Sequence, residues 1–170
     1  MKSIDIANLL VVEAAGKMAL TNLKLNKLVY FCQVECLREC GEALFTDDME
    51  AWRCGPVSRS VYEAFNSYGK RPISEPFGVA PSNSVAKRIV SRVLSSYGNL
   101  STFDLVTLSH REGGAWKDVY SPGTDNPITA TDILRSKDMD GVPCERDTAA
   151  GIVSAIFASI PNALRLLANS

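Results

Sequence analysis

Apolar residues recur every three or four positions along most of this chain, the spacing of helices that turn one side to a core. Residues 3–18 fit a first helix, with Ser3 as N-cap and Ile6, Leu9, Leu10 and Ala14 along one side. A second helix is expected from about residue 22 to Cys40, capped by Thr21 and stopped by Gly41. Its main apolar stripe is Leu25, Leu28, Val29, Cys32, Cys36 and Cys40, while Leu23, Tyr30, Val34 and Leu37 load the opposite side. Only a narrow sector with Lys24, Lys27, Glu35 and Arg38 is polar. A helix apolar nearly all round belongs in the middle of a fold.

The pattern then breaks. A brief extended segment is expected to end near Trp52, followed by a tight Gly55-Pro56 corner and a helix over 57–68, closed by Gly69. Residues 70–83 hold three prolines and no helical period, which predicts a surface loop. Helices are expected at 84–97, at 102–110 with Ser101 as cap, and at 114–120. A short extended piece at Ile128 precedes a helix from about Thr131. The run 145–168 carries Ile152, Val153, Ile156, Phe157, Ile160, Leu164 and Leu167 at helical spacing, with Pro161 as a kink, and is expected to pack on helix 22–40. The fold class is mainly α: a single-domain helical bundle with at most a tiny β-ribbon near Trp52 and Ile128.

Composition changes this picture little. At 46% hydrophobic and 22% charged residues, the chain has a globular balance. Eighteen basic against nineteen acidic residues give a net charge of -1, without the basic excess of a nucleic-acid binder. No apolar run is long enough to span a membrane, and the start of the chain lacks signal-peptide character, so a cytoplasmic location is expected. Five cysteines, an odd number, then read as free thiols.

Candidate chemistry is sparse. Cys32, Cys36 and Cys40 share a helical face but sit on the apolar stripe, where cysteine acts as a small hydrophobe. No CxxC knuckle accompanies them, so they are expected to be buried and metal-free. Cys54 and His110, the sole histidine, could form a thiol-imidazole pair, but no local signature supplies an oxyanion hole or an orienting group. Asp47, Asp48 and Glu50 lack the glycine and ligand spacing of a calcium loop. Gly113-Gly114 does not follow a strand and is expected to separate two helices rather than cradle phosphate. These readings give no catalytic constellation, and no cofactor is expected.

Three groups of residues then combine. Lys24, Leu25, Lys27, Leu28, Tyr30, Phe31 and Gln33 are followed by Gly41, Leu44 and Phe45, and by Ala51, Trp52, Gly55, Pro56, Val57, Val61 and Tyr62. A fainter echo lies in Leu108, Ser109, His110 and Trp116. Together they resemble the Panacea domain, also called SocA-like or GepA-like and often labelled phage-associated. Its pattern is Lys-Leu-x-Lys-Leu-x-Tyr-Phe-x-Gln, Gly-x-x-Leu-Phe, Ala-Trp-x-x-Gly-Pro-Val, Val-Tyr, and a later Leu-Ser-His element with a tryptophan. The resemblance covers roughly residues 20–120, with 121–170 as a C-terminal helical completion of one domain. It implies a non-enzymatic antitoxin that neutralises a cognate protein toxin, encoded by a neighbouring gene, by direct binding. It also implies a second possibility, an adaptor that delivers bound toxin to a AAA+ protease; a hydrolase using Cys54 is a third, outside the family. Some members add a helix-turn-helix domain, which is not expected in this short, charge-balanced chain. The surface on which such a partner is expected comprises the corner with Trp52, Arg53, Arg59 and Tyr62, the 70–83 loop with Arg71, and the 111–117 turn with Trp116. Trp52 is expected to pack inward and the arginines to point outward.

Overall fold

The computed structural model describes residues 1–140 of the chain. The expected helix over 145–168, and its packing on helix 22–40, lie outside the described residues. Helix α1 runs Ser3–Ala14, α2 Asn22–Cys40, α3 Arg59–Ala64, α4 Ser84–Tyr97, α5 Thr102–Ser109, α6 Ala115–Val119 and α7 Ala130–Arg135. Single 3-10 turns occupy Asn66–Tyr68 and Lys137–Asp140. Strands β1 (Met49–Trp52), β2 (Gly55–Val57) and β3 (Pro127–Ile128) form one antiparallel sheet in the order β2-β1-β3. The fold is mainly α with a small β ribbon.

Local signals set most of these boundaries. Thr21 Oγ1 accepts the Lys24 amide at 3.3 Å, and Gly41 ends α2 with φ 71°, a left-handed conformation that costs glycine little. Asn83 caps α4, and Ser101 with Asp104 forms a reciprocal capping box on α5. Two expectations fail at helix starts. The helix α1 ends at Ala14 rather than residue 18, and Ser3 lies inside it, not at the cap. Its hydroxyl is drawn inward to Asp47, 2.6 Å away, and a distant carboxylate thus overrides the local capping preference. The second failure is the Gly-Pro corner. Gly55, Pro56 and Val57 pair with Trp52, Ala51 and Glu50 as a strand, so Pro56 does not open a helix, and α3 begins only at Arg59.

Helix α2 is the axis of the molecule, packed by α1, α3, α4, α5, α7 and β2. Leu25, Leu28, Val29, Tyr30 and Cys32 are fully buried; an aliphatic side chain so placed contributes about 1.5–3 kcal/mol. Two members of the polar sector, Lys27 and Glu35, are buried as well. Polar side chains of α2 act as fasteners. Lys24 Nζ donates to the Gly98 and Leu100 carbonyls at 2.7 and 2.9 Å. Tyr30 Oη donates to Asp138 at 2.6 Å. Gln33 clasps the Leu44–Phe45 backbone, accepting both amides and donating to the Phe45 carbonyl. Residues 121–140 join the same core through Ile128 and Ile133.

Candidate functional site

The hairpin of β1 and β2 is where the separated sequence motifs meet. Trp52 pairs with Gly55, leaving Arg53 and Cys54 as a two-residue tip. The tip residues keep negative φ, and Gly55 supplies the positive one, 99°. The hairpin therefore has two faces, one turned to the body of the protein and one to solvent.

The inner face is closed by hydrogen bonds from two helices, α2 and α6, and by packing against the end of a third, α5. Lys27 Nζ, on α2, donates to the Pro56 carbonyl at 2.7 Å. Trp116 Nε1, on α6, donates to the Trp52 carbonyl at 2.8 Å. Asn26 Oδ1 accepts the Ser58 amide at 3.0 Å and is steadied by its own amide bonding back to Asn22. Ser109, at the end of α5, fills the remaining space: a β-carbon on Gly55 would lie 2.7 Å from its Oγ and 2.8 Å from Lys27 Cε. Buried backbone carbonyls need such donors, which explains the polar residues on an otherwise apolar helix. Burial pushes the Lys27 amine down to about 7, with nearby Cys54 pulling weakly the other way. His110 stacks flat on Trp116, with ring centroids 3.6 Å apart, and Trp116 stacks on Tyr120. Burial first, then the Lys27 and Lys117 charges, hold His110 down to about 4, so its imidazole is neutral near pH 7.

The outer face is a groove of about 360 Å³ whose walls include Leu23, Asn26, Trp52, Arg53, Val57 and Tyr62. Leu23 and Tyr62 are 38% and 37% exposed, the apolar part of an open surface. Trp52 is half-buried, expected inside but standing at the groove wall. Its ring meets Tyr62 edge-on at 4.9 Å, and its indole N–H donates to Glu50 at 2.7 Å. Arg59 covers Trp52 at 5.3 Å but is held by Glu50 through two bonds and by Asp125 at 2.8 Å. It therefore ties β1 to the turn before β3 while remaining exposed.

The other sequence-derived positions fall elsewhere. Trp116, expected on the partner surface, is 5% exposed and used inside the fold. Arg71 is exposed on the loop after α3, its guanidinium donating to the Ser67 and Tyr68 carbonyls. The 70–83 loop is pinned by Asn8, whose side-chain oxygen accepts the Phe77 and Gly78 amides. Cys32 and Cys36 are buried as expected, but Cys40, the last residue of α2, is exposed, with Arg88 of α4 reaching its thiol. Burial raises the Cys32 thiol well above its ordinary value and pushes Cys36 up to about 11, which keeps both protonated. Cys54 is exposed at the tip, and among the described residues His110 Nε2 has no hydrogen-bond partner, a thiol included. Asp47 and Glu50 are engaged by Ser3 and Arg59. Among the described residues, no group of three or more His, Cys, Asp or Glu is placed to hold a metal ion. No helix among them is long and apolar enough to cross a membrane.

Sequence reasoning missed Lys27, Ser109 and Leu23 as parts of this site. Lys27 and Ser109 carried a signal, both standing in the motifs of the family resemblance, but their place under the hairpin was not legible; Leu23 carried none.

Known proteins match the chain over the segment that builds the hairpin and its supports. Residues 25–117 match the family model described as Antitoxin SocA-like, Panacea domain. A curated relative, Antitoxin SocA of Caulobacter vibrioides (strain NA1000 / CB15N), is 33% identical, the match covering 73% of this chain and 75% of the relative. No solved structure matches the chain. With Lys27, Trp52, Gly55, Pro56, Ser109 and Trp116 gathered at one hairpin and the family model spanning all of them, the chain belongs to the SocA-like antitoxin family of the Panacea domain.

Proposed function

We propose that this chain is a cytoplasmic antitoxin that neutralises a cognate protein toxin by direct, stoichiometric binding, without covalent chemistry. The observation that carries the reading is the open groove at the hairpin tip. Arg53 and Cys54, its exposed residues, occupy the two unspecified positions of the Ala-Trp-x-x-Gly-Pro-Val motif, while the specified ones face inward or brace the groove. A rigid support beneath a variable tip suits a domain whose members meet different toxins. The groove pairs exposed apolar area with Tyr, Trp and Arg, the residue types enriched where binding energy concentrates. Neutralisation then follows from occlusion: the bound toxin loses access to its own substrate.

The test is co-expression with the product of the neighbouring reading frame. Leu23→Asp combined with Tyr62→Ala is expected to weaken toxin binding by about 2–4 kcal/mol and to abolish protection, while the variant still folds. Wild-type affinity in that variant would place the interface elsewhere. Binding that persists while protection disappears in a host lacking AAA+ proteases would identify delivery to a protease instead.

A further inference from the structure

The groove is polarised in charge although the whole chain is nearly neutral, with a net charge of -1. Arg53 lines it, and among the described residues its side chain forms no ion pair or hydrogen bond. Gly69 also lines it, and the chain continues directly into Lys70, which has no partner among the described residues, and Arg71, which among them meets only carbonyl oxygens. No carboxylate lines the groove among the described residues. Glu50 and Asp125 are paired with Arg59, Glu50 also accepting the Trp52 indole N–H, and Glu63 lines a separate shallow depression with Ile4, Ala64 and Phe77. A further amine, Lys27, lies beneath the tip, against Gly55. Leu23, Val57 and the Tyr62 ring make the apolar part of the lining, beside Asn22, Asn26 and Asn66.

We propose that the groove accepts an acidic segment of the toxin carrying a bulky apolar anchor, its carboxylates facing Arg53 and Lys70 and its anchor seated between Leu23 and Tyr62. This rests on the antitoxin reading above and names the chemistry of its partner. Complementary charge of this kind steers encounter and selects the partner more than it deepens affinity. A nucleic acid is the poorer occupant, because Trp52 is covered by Arg59 on its ring and abutted edge-on by Tyr62, which removes it as a stacking platform.

Two short labelled peptides test the proposal, each with a central Leu-Trp pair, one flanked by Asp and Glu and the other by Lys, alongside a single-stranded oligonucleotide. The acidic peptide is expected to bind the full chain at least about tenfold more tightly than the basic one, and to weaken as ionic strength rises. Arg53→Glu with Lys70→Glu is expected to erase or reverse that preference without moving the thermal melt. Equal binding of the two peptides, a wild-type preference in the charge-reversed variant, or displacement of the acidic peptide by the oligonucleotide would overturn it. The toxin itself separates the two levels of inference. Its binding lost in Leu23→Asp but intact after charge reversal would remove the acidic segment and leave the antitoxin site standing. Its binding intact in both variants would remove the groove as the toxin site, and the acidic segment with it.

Discussion

The two faces of the β1–β2 hairpin are a few ångströms apart and obey opposite rules. On the inner face, the Trp52 and Pro56 carbonyls and the Ser58 amide each have a partner from a helix, and no space remains for one more carbon at Gly55. On the outer face, Arg53 and Cys54 are exposed, and the nearest apolar groups, Leu23 and Tyr62, are left partly open. The inner face cannot change without leaving a buried polar atom unsatisfied or forcing a collision, each costing about 1–3 kcal/mol. On the outer face only the tip residues Arg53 and Cys54, exposed at the turn, can change at little cost to folding. The contrast separates positions whose side chains the fold needs from positions it leaves open.

The sharpest way to break the comparison is Gly55→Ala. The added carbon would meet Ser109 Oγ at 2.7 Å and Lys27 Cε at 2.8 Å, at a φ of 99° that alanine adopts poorly. A loss of about 3 kcal/mol is expected in denaturant unfolding. An unchanged midpoint would mean that the inner face is looser than these distances require.

Next in size is Lys27→Met, which keeps the length of the side chain and removes the donor to Pro56. The expected loss is about 1–3 kcal/mol near neutral pH, partly offset because the buried amine itself carries a desolvation cost. The pH profile is the cleaner readout. The folded value of about 7 lies below the ordinary 10.5, so between them the unfolded chain holds the extra proton. Lys27 should therefore contribute stability that rises with pH above about 7, by at most about 1.4 kcal/mol per pH unit, read as the difference between wild type and Lys27→Met. That contribution is fully present above 10.5, is lost as pH falls through the folded value, and should be missing in Lys27→Met. Identical slopes in the two proteins would show that the amine is not buried in solution.

The smallest expected effect belongs to the tip. Cys54→Ser should leave unfolding within about 0.5 kcal/mol of wild type and protection intact, since an exposed thiol at a turn carries little packing. Loss of protection in a folded Cys54→Ser protein would transfer the argument from shape to thiol chemistry and erase the distinction between the two faces.

Much of the fold was readable before any coordinates. Thr21 and Gly41 bounded α2, Asn83 preceded α4, Ser101 capped α5, and Gly113 separated α5 from α6, because each acts on amides or backbone angles within a few residues of itself. The Ile128 segment was visible as an extended interruption forming a small ribbon with the Trp52 segment, though the register, Met49 opposite Ile128, was not. The Gly-Pro corner was placed correctly and given the wrong structure. Proline suits a helix start in isolation, but here its carbonyl is taken by a lysine 29 positions earlier.

The candidate site divides the same way. The sequence by itself determined the helices, the location of the hairpin, and the glycine that permits its turn, since periodicity, caps and positive φ are properties of short stretches. Only the tertiary structure decided which side chains face in. Lys27 became a buried brace, Trp116 turned inward to the Trp52 carbonyl 64 residues away, and Arg59 was captured by Asp125 across 66 residues. The reason is that a polar side chain can be buried only where a partner waits, and that partner is supplied by chain closure rather than by its neighbours in sequence.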